Sequence, residues 1–144
     1  EAVDWRELDG YFAACASLLV PGGSMGLQAI LIDDDRYERA KHTNDYIKEF
    51  IFPGGCLPSF GSIERSGAAA GLSIRRSEWF GSSYAETLRR WRANLYRHEV
   101  DLRAFGLDEA FVRMWDFYLS YCEAGFEERS IDVAQIVLDS TAHR

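Results

Sequence analysis

The spacing of apolar positions changes several times along this chain, and each change marks an element. Leu8, Tyr11, Phe12, Cys15, Leu18 and Leu19 recur at helical spacing, which predicts a helix from about Trp5 to Leu19 with Asp4 and Glu7 as its capping box. Pro21-Gly22-Gly23 stops that helix and turns the chain. Met25 to Ile32 is a short continuous apolar run and reads as a buried strand. Asp33-Asp34-Asp35 ends it, and Asp35 with Glu38 suits the start of a second helix reaching about Phe50. Ile51 to Pro58 reads as an apolar loop, because Pro53, Gly54, Gly55 and Pro58 are turn formers. A short helix over Ser59 to Ala70, closed by Gly71, leads to a second strand from Leu72 to Phe80. Ser83 and Glu86 form another capping box before a long helix striped by Leu88, Trp91 and Leu95. Gly106 interrupts, Asp108 caps a helix carrying Phe111, Trp115, Tyr118, Leu119 and Cys122, Gly125 ends it, and Ile131 to Leu138 is the last strand.

Alternation of helices and strands gives an α/β class. Three strands leave a sheet edge open, and the chain enters a structured pattern straight from Glu1, so it is expected to be part of a longer protein. At 144 residues it is one domain with a core rather than two. Four Trp, seven Tyr and nine Phe argue for order. The net charge of -7 argues against nucleic acid as a partner, since phosphates need a basic face. Cys15, Cys56 and Cys122 are scattered without metal-ligand spacing and read as free thiols of a reducing compartment, so no metal is expected and the location is expected to be cytoplasmic. No apolar run approaches the ~20 residues of a bilayer span.

Local strings carry more than the periodicity does. Leu18-Leu19-Val20-Pro21-Gly22-Gly23 before a strand looks like the helix, turn and fifth strand of class I S-adenosylmethionine (SAM)-dependent methyltransferases. The segment Tyr46-Ile47-Lys48-Glu49-Phe50-Ile51-Phe52-Pro53-Gly54-Gly55-Cys56-Leu57-Pro58-Ser59 closely resembles the Y-I-F-P-G-G-x-L-P-S string of the cyclopropane-fatty-acyl-phospholipid synthase family. Phe80-Gly81-Ser82-Ser83-Tyr84-Ala85-Glu86-Thr87-Leu88 is similar to that family's F-G-x-x-Y-x-x-T-L. Phe117-Tyr118-Leu119 with Cys122 to Phe126 looks like its Y-L-x-x-C-x-x-x-F. Four strings keep their order and spacing over nearly the whole chain.

The resemblance implies the C-terminal part of a class I, Rossmann-like methyltransferase fold, its three strands in 5-7-6 order and the last antiparallel between the other two. It implies methyl transfer from SAM to a cis double bond of a phospholipid acyl chain, giving a cyclopropane or a methyl-branched or methylene product. The SAM site is then expected mainly in an N-terminal half that this sequence lacks, with this part inactive alone. A bicarbonate ion is implied as base. Glu1 matches the family's acidic residue near that ion, Tyr84 its tyrosine contact, and Ile30 a position that offers a backbone carbonyl. Gln28 stands where most members carry His, and Ala2 also replaces a His. Glutamine donates a hydrogen bond to an anion but carries no proton reversibly near neutral pH, so the product type stays open. Phe52, Pro53, Gly54 and Gly55 are the implied substrate-binding loop.

The expected partners are phospholipid acyl chains at a membrane surface, approached peripherally, and a second copy of the chain through the open strand edge. Arg89, Arg90, Arg92, Arg97 and Arg103 lie at helical spacing and suit either a solvated face or anionic headgroups. His42, His98 and His143 read as surface residues, and Asp33-Asp34-Asp35 as a turn and cap rather than a metal site. Trp79, Trp91 and Trp115 read as core. Two alternatives remain: a non-catalytic lipid-binding or interaction module, and a small-molecule methyltransferase, against which the Ile51 to Ser59 string weighs.

Overall fold

The computed structural model describes residues 3–141. They fall into two compact units: the chain up to Trp79 joined by the segment from Ile131 onward, and Phe80–Ser130.

The first unit is built on a three-stranded sheet of β1 (Ser24–Ile32), β2 (Leu72–Trp79) and β3 (Ile131–Ser140), in the order β1-β3-β2. β3 is antiparallel to both neighbours, with Met25 opposite Leu138, Leu27 opposite Ile136 and Ala29 opposite Ala134. The expected insertion of the last strand between the other two is therefore observed. Between Ile74 and Arg76 the β2 register slips by one residue, leaving Arg75 as a bulge. Arg75 Nε meets Asp139 Oδ2 at 3.0 Å.

Side chains of a strand alternate between faces. Leu31, Leu72, Ala134, Ile136 and Leu138 therefore share one face, with Met25, Leu27 and Ala29 beside them, and pack with Phe12 and Ile63. Phe12 comes from α1 (Leu8–Ser17) and Ile63 from α4 (Phe60–Ala69). Each such fully buried side chain contributes about 1.5–3 kcal/mol of transfer free energy. α4 is stopped at both ends by specific chemistry. Ser59 and Ser62 exchange hydrogen bonds as a capping box, and Gly71 takes the left-handed conformation at φ 75°. Gly61 is required for another reason: a Cβ there would lie 2.6 Å from Asp34 Oδ1.

Three boundaries in this unit differ from the sequence reading. The first helix opens as a 3-10 turn at Trp5–Glu7, because Asp4 accepts from the Arg6 N–H and not in a capping box with Glu7. It ends at Ser17, since Leu18 and Leu19 bond back by only three residues. The second helix divides into α2 (Asp34–His42) and α3 (Tyr46–Phe50), because the Thr43 hydroxyl donates to the Arg39 carbonyl and Asp45 caps a new start at Lys48 N.

The second unit holds α5 (Gly81–Arg97), α6 (Glu99–Ala104) and α7 (Glu109–Glu127). Pairing runs from Arg89 to Glu127 and Glu123, then from Arg92 to Asp116, so α5 and α7 are antiparallel. Asp108 caps α7 as expected, accepting from Phe111 N at 2.9 Å. Ser83 and Glu86 are not a capping box, because α5 already begins at Gly81. Gly125 does not end α7. The helix continues to Glu127, and Arg129 takes the left-handed position at φ 53°.

Candidate functional site

The backbone of β1 is directed by its hydrogen bonds. The Gly23 carbonyl accepts from Ser140 on the β3 side, whereas the Ile32 N–H donates to the Pro58 carbonyl on the other side. Groups alternate sides along an antiparallel strand, so the N–H and C=O of Gln28 and Ile30 turn to the outer edge of β1. That edge pairs with no other strand among the described residues, apart from the Ile32–Ser59 bridge at its end. The Gln28 and Ile30 side chains lie on the sheet face away from Phe12. Gln28 is exposed, and its Oε1 accepts from Gln135 Nε2 at 3.2 Å across the strand pair. This leaves the Gln28 amide nitrogen as a donor. The Gln28 backbone and the Ile30 carbonyl thus share the open edge, while the Gln28 side chain lies on the sheet face and reaches toward Gln135 of β3.

The loop after α3 is a defined turn. Gly55 N–H donates to the Phe52 carbonyl at 2.9 Å, Pro53 holds the second position and Gly54 the third at φ 81°. Pro then Gly with positive φ makes this a type II turn. Pro53 and Gly54 are exposed, Phe52 and Gly55 half-buried. Behind it Cys56 is buried, and that burial pushes its thiol up, away from the reactive thiolate. Cys56 is a packed residue, not a nucleophile.

Tyr84 belongs to the helical unit, where its ring lies 5.0 Å from Phe126 and 6.2 Å, edge-on, from Trp91. It stands in the first turn of α5 and is half-buried. Glu1 lies outside the described residues, as does His143.

The lesser candidates resolve simply. Asp34 accepts from Ser59 Oγ at 2.5 Å and Gly61 N at 3.1 Å, so the acidic run serves the start of α4, and no metal-holding cluster occurs among the described residues. Arg89, Arg90, Arg92 and Arg103 are committed to carboxylates of their own unit, which favours the solvated face over headgroup contact. Cys15, Cys56 and Cys122 are free thiols. Trp79 and Trp91 are exposed rather than core. No described helix is long and apolar enough to cross a membrane.

Sequence reasoning missed the surroundings of the Phe52–Gly55 turn. A cavity of about 260 Å³ beside Gly54 and Gly55 is lined by Asp4, Arg6, Lys41 and Lys48. The Arg6 guanidinium holds the Asp4 carboxyl down at about 2. Two cues were legible in retrospect: Lys41 and Lys48 flank the Thr43 to Asp45 break.

Known proteins bear on this arrangement directly. The model of the mycolic acid cyclopropane synthetase family matches residues 1–136. Tuberculostearic acid methyltransferase UfaA1 of Mycobacterium tuberculosis is 42% identical over 96% of this chain, which covers 33% of that protein. The cyclopropane-fatty-acyl-phospholipid synthase of Escherichia coli K12 is 30% identical over 95% of this chain and 34% of its own length. The crystal structure of mycolic acid cyclopropane synthase CmaA1 complexed with SAH and CTAB superposes with a TM-score of 0.84 at 27% identity, covering 97% of this chain and 52% of that one. The chain thus spans about a third of the length of these two curated relatives, and on the match over nearly all its residues it belongs to the mycolic acid cyclopropane synthetase family.

Proposed function

We propose that this chain is the substrate-side part of a SAM-dependent methyltransferase acting on a cis double bond of a phospholipid acyl chain, its two units being parts of one methyltransferase domain. The observation that carries this reading is the family match over residues 1–136. The described residues do not themselves make a SAM cradle. The junction after β1 is Asp33-Asp34-Asp35 rather than a glycine loop, and the strands it could serve are antiparallel. As the curated relatives are about three times longer, we propose that the cofactor contacts fall largely outside this sequence and that this chain alone is inactive.

Residues of this chain act on the acceptor side. Positive charge develops on an alkene carbon as it is methylated, and a nearby anion in a dry pocket stabilises it. The Gln28 amide nitrogen suits an oxygen of bicarbonate, and the outward Ile30 carbonyl suits its O–H. Tyr84 is the hydroxyl donor implied by the family string, and Glu1 the acidic neighbour. Phe52 and the turn to Gly55 contact the acyl chain. A methyl-branched product is favoured over ring closure, because the 42% identical relative is named for methyl transfer, against 30% for the cyclopropane-forming one. Gln28 in place of His agrees with this, as the amide takes no proton.

The test is lipid mass spectrometry on the parent protein supplied with methyl-labelled SAM and a cis-unsaturated phospholipid. Labelled methyl-branched or methylene acyl chains are expected. Label appearing only on a small molecule, or nowhere, would overturn the reading. Peripheral action at the membrane surface is proposed from the lipid acceptor alone, while the open β1 edge supports a further proposal, self-association of the isolated chain. An unpaired apolar strand is a template for pairing, and light scattering showing a monomer at all concentrations would contradict the latter.

A further inference from the structure

The cavity beside Gly54 carries a charge pattern that neither the family strings nor the methyl-transfer chemistry uses. Arg6, Lys41 and Lys48 stand against a single carboxylate, Asp4, in a chain whose net charge is -7. Asp4 is already spent. Arg6 Nε and Nη2 each donate to one of its oxygens at 2.9 Å, and the Arg6 backbone N–H adds a third bond. That pair cancels, Lys41 is answered by Glu38, and the surplus charge belongs to Lys48.

Lys48 is half-buried and rests on the end of α2, donating to the carbonyls of Ala40 at 2.5 Å and Thr43 at 3.0 Å. An ammonium has three N–H donors, so one remains, and among the described residues no carboxylate pairs with Lys48. Lys41 has only 14% of its side chain exposed. Its ammonium meets both oxygens of Glu38, Oε1 at 2.8 Å and Oε2 at 2.7 Å, a carboxylate that is itself 70% exposed. The Lys41 ammonium is held in place from below by aromatic faces, 4.7 Å from the Trp5 centroid and 5.1 Å from that of Tyr37. Lys48, with a donor to spare, and Lys41, which shares its ammonium with Glu38, thus line a polar space of about 260 Å³. That is below the usual range of drug-sized pockets, and its mainly polar walls suit a small anionic group.

We propose that this cavity is an oxyanion site that takes a phosphate group, with Lys48 and Lys41 as its donors. The phosphate has two chemical sources, the phosphodiester of a lipid head group and free phosphate. The oxyanion site stands on the charges alone, whereas assigning it to a lipid head group rests on the proposed function.

The experiment is an amide NMR titration of the 144-residue chain. The probes are inorganic phosphate, glycerophosphoglycerol (a deacylated lipid head group) and chloride at matched ionic strength. Saturable shifts at Lys41, Lys48, Gly54 and Gly55 are expected with both phosphates and not with chloride. Losing a hydrogen bond to a charged group corresponds to about tenfold or more in affinity, so Lys48→Gln should weaken binding by at least that, and Lys48→Arg should restore most of it. Because Lys48 also ties down α2, Lys41→Gln serves as the second variant, with the sheet amides reporting the fold. A response to both probes places a lipid head group in the site, and a response to inorganic phosphate alone places free phosphate there. Equal shifts with chloride, or both glutamine variants binding like wild type, overturn the site. The readout does not involve methyl transfer. A parent that methylates lipid while this chain ignores phosphate sinks only this inference, and the converse result sinks only the proposed function.

Discussion

In the sheet-bearing unit Phe12, Val133, Ala134, Ile136 and Leu138 are wholly excluded from solvent, whereas Phe80–Ser130 leaves Phe105 83% exposed and Trp91, Tyr96, Phe117 and Tyr121 about half exposed. The helical unit has its own buried set in Leu88, Val112, Leu119 and Phe126, and adds charge along its exposed faces. Arg89 reaches Glu86, Glu123 and Glu127, Arg92 reaches Asp116 and Glu123, and further pairs climb α5, α6 and α7. Core burial is insensitive to salt, while exposed ion pairs are screened and individually worth about 0–1 kcal/mol. Both units thus rest on buried side chains and differ in how much exposed charge they carry. Of the candidate residues described, Gln28, Ile30 and the Phe52–Gly55 turn belong to the sheet-bearing unit, Tyr84 to the helical one.

The largest effect is expected in the sheet core. Phe12→Ala removes a ring at 0% exposure and should cost about 3–5 kcal/mol in urea denaturation. A cost below about 1 kcal/mol would mean that α1 is not part of this core. Next comes the turn: Gly54→Ala forces a Cβ into φ 81°, although nothing lies within 4 Å of it, so the cost is backbone strain alone, about 1–2 kcal/mol. The ion-pair ladder should give less. Glu123 is 14% exposed and its Oε2 lies 3.7 Å from Arg92 Nη1 without a hydrogen bond. Glu123→Gln should cost about 1 kcal/mol, with hydrogen exchange accelerating in α5 and α7 and not in β3. Molar salt should mimic it.

The smallest expected effect is the pH response of the same ladder. Arg90 holds the Glu86 carboxyl below its ordinary value. A depressed folded value means that this contribution is present above the unfolded value and is lost as pH falls through the folded one. Acid below the ordinary glutamate range should thus loosen α5 slightly, an effect absent in Glu86→Gln. Equal acid sensitivity in that variant would remove the pair from the account.

How much of this was legible in the sequence divides along the same line. Met25 to Ile32 and Ile131 to Leu138 were readable as largely apolar runs between stops, whereas Leu72 to Phe80 carries Arg75, Arg76 and Glu78 and was marked mainly by Gly71 before it and the helix start after it. Their order came from family strings, as no periodicity encodes which strand lies in the middle. Helix ends were less readable. Ser83 with Glu86 has the form of a capping box, yet the chain turns helical at Gly81, and Gly125 has the form of a stop inside a helix that α5 packing carries on to Glu127. Of the stripe that read as core, Leu88 is buried while the Trp91 ring stays half exposed. Gln28 and Ile30 were found by resemblance. Their outward backbone groups follow only from which side Ser140 and Pro58 bond, which a one-dimensional pattern does not contain.

The central claim is that residues of this chain stabilise the charge of a methyl-transfer reaction on lipid, and Tyr84 tests it most directly. Removing one donor from a pre-organised site typically costs about 2–4 kcal/mol of transition-state stabilisation. Single-turnover methyl transfer by the parent protein to a cis-unsaturated phospholipid, measured for wild type and Tyr84→Phe, should therefore fall about a hundredfold or more with SAM affinity unchanged. A Tyr84→Phe protein that transfers methyl at the wild-type rate would contradict the account and leave Tyr84 as a packing residue beside Phe126.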